Sequence, residues 1–165
     1  MAVRDPVQRV LLAGFGIGLT LVAGVGLVDD HRPLSPWLRL LVQALAGVVF
    51  AGAVHLAFGS TWLSLLAVVL VLVLTNVWNF MDGINGMAAS QALLLGLAMA
   101  LLLDGSWRLL ALALAAACAG FLPFNFPAAR IFLGDVGSGA IGFSIAAMVT
   151  VCVAMDGVAS TWLLL

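Results

Sequence analysis

Long apolar runs broken by short polar seams set the pattern of this chain. Residues 10–28 carry no charge and end at Asp29-Asp30-His31-Arg32-Pro33. Residues 38–58 follow, with Arg39 near the start, and close at Gly59-Ser60. Residues 61–77 run uncharged to Asn79 and Asp82, and 87–103 lead to Asp104-Gly105-Ser106-Trp107-Arg108. Residues 109–122 lead to Pro123, and 137–155 to Asp156-Gly157. A helix that crosses a bilayer needs roughly 20 mostly apolar residues. The pattern therefore predicts an all-α, polytopic transmembrane helix bundle of six spans, one domain over residues 1–165. The last residues, Ser160-Thr161-Trp162-Leu163-Leu164-Leu165, read like the opening of a seventh span.

Composition fixes the environment. Of 165 residues, 65% are apolar and 8% charged, with a mean hydropathy of +1.27, whereas soluble domains run about 45–50% apolar and about 25% charged. A net charge of −1 with no basic cluster excludes a nucleic-acid binder. Abundant apolar residues exclude disorder. Cys118 and Cys152, both in apolar runs, form neither a disulfide framework nor a metal knuckle. The five tryptophans fall at span ends, as an interfacial belt would place them. Gly14-Phe15-Gly16-Ile17-Gly18 lacks a preceding strand, so it reads as close helix packing rather than a nucleotide loop. Arg4 and Arg9 precede the first apolar run as in a signal peptide. No small-residue cleavage site precedes Asp29, so the run reads as a retained span.

Parity then gives the scarce charges a meaning. Asp29 to Asp82 and Asp82 to Asp135 are each 53 residues apart, the length of two spans and their turns. An even number of crossings returns the chain to the same face. Asp29-Asp30, residues 76–85 and residues 125–138 should thus share one face, opposite the short connections at Gly59-Ser60 and 104–108. Carboxylates set among glycines, near Asn76, Asn79 and Asn125, suit a hard divalent cation. Mg²⁺ takes one or two carboxylates together with substrate phosphate oxygens and water. The alternative is ordinary capping of the helices that follow.

Three segments carry a resemblance: Gly26-Leu27-Val28-Asp29-Asp30-His31-Arg32; the stretch 76–86, with Asn79, Asp82, Gly83, Asn85 and Gly86; and the stretch 124–138, with Asn125, Arg130, Phe132, Gly134, Asp135 and Ser138. In order and spacing the chain resembles the central portion of the polyprenyl-phosphate N-acetylhexosamine-1-phosphate transferases, glycosyltransferase family 4, and most closely their O-antigen-initiating branch. The resemblance implies transfer of a sugar 1-phosphate from a UDP-sugar to undecaprenyl phosphate, with release of UMP. It implies a multi-pass protein of the bacterial inner membrane with its motif loops in the cytoplasm, where UDP-sugars are. Asp82 and Asp135 match positions that serve Mg²⁺, for which Mn²⁺ can substitute. Asp29 and Asp30 match the acidic pair near the acceptor phosphate, Phe132 an aromatic that stacks on uracil, and Asn79 and Asn125 polar positions of the nucleotide pocket. The acceptor phosphate already bears charge, so positioning and charge neutralisation should outweigh a strong base.

The chain departs from that family in two ways. Asn85 stands where the family commonly has Asp, a position linked with base recognition. The family also has about ten or eleven spans against six here, so spans matching its first and last ones are absent from this sequence. Smaller expectations complete the reading. His31 could tune the acidic pair, or be an exposed loop residue. Arg32 and Arg130 could meet diphosphate oxygens, or simply anchor the motif face. Arginine count leaves orientation open, with positions 32, 39 and 130 on one face and 4, 9 and 108 on the other. Partners are the UDP-sugar, the lipid phosphate, the bilayer and a second copy of the chain. The rival class is a non-catalytic membrane protein, such as an inactive remnant or a transporter-like bundle. Transporters place ionisable groups near the midplane, whereas these acids lie at span ends.

Overall fold

The computed structural model describes the backbone of residues 6–162 and side-chain surroundings through Met155. Six helices follow one another: α1 Pro6–His31, α2 Pro36–Phe58, α3 Thr61–Asp82, α4 Met87–Leu102, α5 Gly105–Asn125 and α6 Gly134–Trp162. Five of them are long and apolar enough to cross a membrane. The sixth, α4, has 16 residues, about 24 Å at 1.5 Å per residue. It still joins the two ends of the bundle. Gly86 at its start meets Asn125, and Gly105 just beyond its end lies beside Gln8 at the start of α1. The all-α polytopic bundle is thus the observed architecture.

The boundaries follow from local chemistry. Ser35 accepts from Leu38 N–H at 3.3 Å and Pro36 opens α2, while Ser60 caps α3 through Leu63 N–H in the same way. Gly59 closes α2 at φ +65°, a left-handed conformation that costs glycine little. Two boundaries differ from the sequence reading. Pro123 lies inside α5, where an end was expected before it. The helix stops two residues later, so the missing proline N–H costs a single bond of the last turn. Asp29 and Asp30 lie in the last turn of α1 rather than in a loop. Of the expected seventh span, residues 160–162 continue α6 and 163–165 lie outside the described residues, as does Arg4.

α6 is the axis of the bundle. Two-thirds (67%) of its membrane window is buried, against 22–39% for the other long helices. Phe143, Ile145 and Met148 of α6 are almost fully buried, and the Phe143 ring packs against Phe15 of α1 and Phe50 of α2. Close approach depends on glycine: a Cβ on Gly142 would lie 2.5 Å from Leu74 O on α3, and one on Gly18 would lie 2.3 Å from the Phe143 ring. Packing through small residues therefore holds for Gly14 and Gly18, while Gly16 faces open space.

The tryptophan belt is only half present. Trp37 and Trp62 are exposed at 79% and 69%, but Trp78 and Trp107 are buried at 4% each. The indole N–H of Trp78 donates to Ala88 O at 3.2 Å and ties α3 to α4. Trp107 packs edge-on to Phe15 with centroids 5.6 Å apart. Both gain more from packing between helices than from the interface. The Trp162 side chain lies outside the described residues.

Candidate active site at one end of the bundle

The three polar segments meet where α1 and α3 end and α2 and α6 begin. The first structural event there is the capping of α6. Its leading N–H groups have no partners within their own helix. Asp82, the last residue of α3 and buried, accepts from Leu133 N–H at 3.1 Å through Oδ1 and from Gly134 N–H at 3.0 Å through Oδ2. Asp30 of α1 accepts from Asp135 N–H at 2.9 Å and from Val136 N–H at 3.3 Å. Two carboxylates from two other helices thus serve four successive backbone donors. The macrodipole favours negative charge at this end of α6 and opposes it at the C-terminal turn of α1, where Asp29 and Asp30 sit. The N-terminus of α6 supplies the compensation for Asp30.

Arg39 supplies it for Asp29. Its guanidinium bridges Asp29 Oδ2 at 2.9 Å and Asp135 Oδ1 at 3.3 Å. Asp29 also accepts from Leu34 N–H. Asp135 accepts in addition from Asn79 Nδ2, which donates as well to Ser138 Oγ at 3.3 Å. Ser138, fully buried, donates to Gly134 O at 2.7 Å. Asp29, Arg39, Asn79 and Asp135 therefore form one connected polar cluster, with no backbone needed between them. Gly26 lets α1 come this close: a Cβ there would lie 2.6 Å from the backbone of Asp135.

The loops form a second layer. Asn125 is buried at 1%. Its Oδ1 accepts from Gly86 N–H and its Nδ2 donates to Ile131 O, both at 2.8 Å. Asn85 donates to Pro127 O at 3.2 Å from an exposed position. These two asparagines stitch the 83–86 loop to the 126–133 loop, and the Asn125 side chain is directed to backbone on both sides. Phe132 is 51% exposed, and Arg130 also lies on the open surface of the same loop. His31 turns its ring to Leu27 O at 2.8 Å, along its own helix.

The structure brings together Asp29, Asp30, Asp82, Asp135 and Asn79, and leaves His31, Asn85, Arg130 and Phe132 at the exposed rim. Arg39 is the site residue that sequence reasoning missed. The sequence reading places it at the start of a span and on the motif face but gives it no role. An arginine one turn into an apolar run is costly without a partner, and that was the available signal. As for a cation, no group of three or more Asp, Glu, His or Cys converges on one point among the described residues. Mg²⁺ takes one or two carboxylates and completes its shell with phosphate oxygens and water, and Asp135 lies in the cluster as one such carboxylate; both Asp29 oxygens already meet Leu34 N–H and Arg39. Both Asp82 oxygens already accept backbone N–H groups, leaving only their second lone pairs.

The chain is similar in sequence to several known proteins. A phospho-N-acetylmuramoyl-pentapeptide-transferase of Moorella thermoacetica is 36% identical over 152 aligned residues, covering 73% of the chain and 47% of that protein. A decaprenyl-phosphate N-acetylglucosaminephosphotransferase of Mycobacterium tuberculosis is 33% identical over 172, covering 86% of the chain and 40% of its own length. A probable undecaprenyl-phosphate N-acetylglucosaminyl 1-phosphate transferase of Bacillus subtilis is 31% identical, covering 78% and 40%. The chain spans less than half the length of these relatives. The sequence profile of glycosyl transferase family 4 matches residues 12–153, from the first helix to the last and through every motif described above. With its acids, its capped sixth helix and its arginine bridge inside that match, the chain belongs to glycosyl transferase family 4.

Proposed function

We propose that the chain carries the phosphate-transfer centre of an enzyme that moves an N-acetylhexosamine-type sugar 1-phosphate from a UDP-sugar to undecaprenyl phosphate, releasing UMP. The observation that carries the reading is the Asp29–Arg39–Asp135 bridge, held at one end of the bundle beside Asn79. The relatives' names supply the polyprenyl phosphate acceptor and the hexosamine phosphate donor. Pentapeptide and N-acetylglucosamine transferases both occur among them, and in this reading the reaction initiates a cell-envelope glycan. The O-antigen of lipopolysaccharide is the branch that the motifs favour. The reading places the motif loops at the cytoplasmic face of a bacterial inner membrane.

In this reading Asp82 and Asp135 would hold Mg²⁺, Asp82 through its remaining lone pairs, with Asp29 adjoining. That ion, or Mn²⁺ in its place, would supply charge neutralisation at the diphosphate. The protein's own residues do the rest. Arg39 is the one guanidinium within the cluster, and it can turn a donor from Asp135 to an incoming phosphate oxygen. Asn79 fixes the Asp135 carboxylate. Asp30 and Asp82 fix the helix that carries it. The exposed Phe132 ring, with Arg130 on the same loop, offers a face for the uracil. An acceptor phosphate that is already ionised needs position more than it needs a base.

The test is direct. The 165-residue chain, reconstituted in bilayer discs with undecaprenyl phosphate, should release UMP from UDP-N-acetylglucosamine or UDP-N-acetylmuramoyl-pentapeptide, and should stop when EDTA is added. No UMP from either donor at saturating Mg²⁺, from protein shown to be folded, would refute the proposal and favour a non-catalytic role.

A further inference from the structure

One polar contact lies inward of the acids, and its partner on α2 belongs to no motif segment. Gln43, buried at 6% exposure, sits on α2 four residues after Arg39 and so on the same face. Its Oε1 accepts from Asn76 Nδ2 at 2.8 Å, and that amide also donates to Leu72 O at 2.8 Å. On α3, Asn76 lies one turn before Asn79, the donor to Asp135. Helices α2 and α3 are therefore joined by two rungs. The outer one passes from Arg39 through Asp135 to Asn79, and the inner one is Gln43 to Asn76. Between them lies a cavity of about 10 Å³ bounded by Gly26, Arg39, Gln43, Thr75, Asn79 and Asp135. That is about the room one water molecule needs.

An amide inside an apolar bundle is costly unless it is hydrogen-bonded. Apolar side chains at both positions would pack α2 on α3 without that cost. What the amide pair adds is register. Arg39 is one turn from Gln43, and Asn79 one turn from Asn76. A roll or slide of α2 that breaks the inner rung also carries Arg39 away from Asp135, where its bond is already 3.3 Å.

We propose that Gln43 is a positioning residue. Together with Asn76, and with one water in the cavity between the rungs, it holds the Arg39 guanidinium on Asp29 and Asp135. The kinetic consequence rests on the transferase reading; the geometric one does not. The experiment compares wild type, Gln43→Leu, Asn76→Leu and the exchanged pair Gln43→Asn with Asn76→Gln, each as the full chain in bilayer discs. The first readout is the ¹⁵N guanidinium signal of Arg39, assigned by its loss in Arg39→Lys. It should be resolved and slowly exchanging in wild type, averaged in both leucine variants, and resolved again in the exchanged pair.

The second readout is UMP release. Gln43→Leu should lower kcat about ten- to a hundredfold with KM for the UDP-sugar changed less than about twofold, and the exchanged pair should recover most of the loss. An unchanged Arg39 signal in both leucine variants overturns the proposal. So does an averaged signal, or a lowered kcat, that the exchanged pair fails to restore while its melting temperature stays at the wild-type value. Wild type that releases no UMP overturns the transferase reading alone, and the Arg39 signal then decides on Gln43.

Discussion

Removing the Asp82 carboxylate should release the start of α6 before it disturbs anything else. In Asp82→Ala the N–H groups of Leu133 and Gly134 lose their acceptors. Each unpaired buried donor costs about 1–3 kcal/mol. Both residues are half-buried, so water recovers part of this and the expected total is about 2–4 kcal/mol. Charge at the helix terminus accounts for a further share, about 0.3–1 kcal/mol. The sum, about 2.3–5 kcal/mol, at about 1.4 kcal/mol per factor of ten, should accelerate amide exchange at 133 and 134 roughly 40- to 4,000-fold. The amides of α2 and α4 should stay protected. Hydrogen exchange with mass readout in bilayer discs resolves these segments, and thermal unfolding measures the whole. Asp82→Asn keeps one acceptor oxygen and should lie between wild type and alanine. If exchange at 133–134 does not change in Asp82→Ala, the capping argument is wrong. If every helix exchanges faster by the same factor, Asp82 acts on global stability instead.

Further expectations concern single contacts. Asp135→Asn removes the carboxylate that Arg39 and Asn79 both hold, and should lower UMP release at least about a hundredfold, with melting changed by only a few degrees. Arg39→Met leaves Asp29 and Asp135 facing each other without a cation. Asp29 is only 8% exposed and Arg39 27%, so the loss should fall between surface and fully buried pairs, about 1–3 kcal/mol by chemical denaturation; a loss below the error of that measurement would refute the bridge as a stabilising element. Gly142→Ala puts a Cβ 2.5 Å from Leu74 O; forcing α3 off α6 should cost about 1–3 kcal/mol, whereas Gly16→Ala, in open space, should melt like wild type. Asn125→Ala leaves Gly86 N–H and Ile131 O unpaired, and protease nicking within 126–133 should rise while the helices remain intact.

Much of the fold could be read directly from the chain. The spacing of charges separated six apolar stretches, and each became a helix, because in hydrocarbon a backbone has little choice but to bond to itself. Parity placed Asp30, Asp82, Asn125 and Asp135 at one end, and their hydrogen bonds confirm it. The division of labour among the acids was not legible. Asp29 and Asp30 are neighbours in sequence but point to different partners, Arg39 for one and the α6 backbone for the other. Only the packing of α1 against α2 and α6 decides this. Arg39 and Gln43 were hidden for a related reason: each is a single polar residue in an apolar run, whose meaning depends on a contact 33 to 96 residues away. Trp78 and Trp107 misled because an indole at a span end suits the interface and the inter-helix seam equally well.

The brevity of α4 has a consequence for the surrounding lipid. At 16 residues it is about 6 Å shorter than a hydrocarbon layer of about 30 Å. It presents Leu94, Leu97 and Leu101 outward, at 59%, 47% and 84% exposure. Acyl chains along this flank must shorten to match it, at a cost of a fraction of a kcal/mol per ångström. The helix starts at Met87, directly after the loop stitched to Asn125. Membrane tension at this flank therefore acts on the same backbone that frames the polar cluster, so bilayer thickness is a physical variable of its geometry.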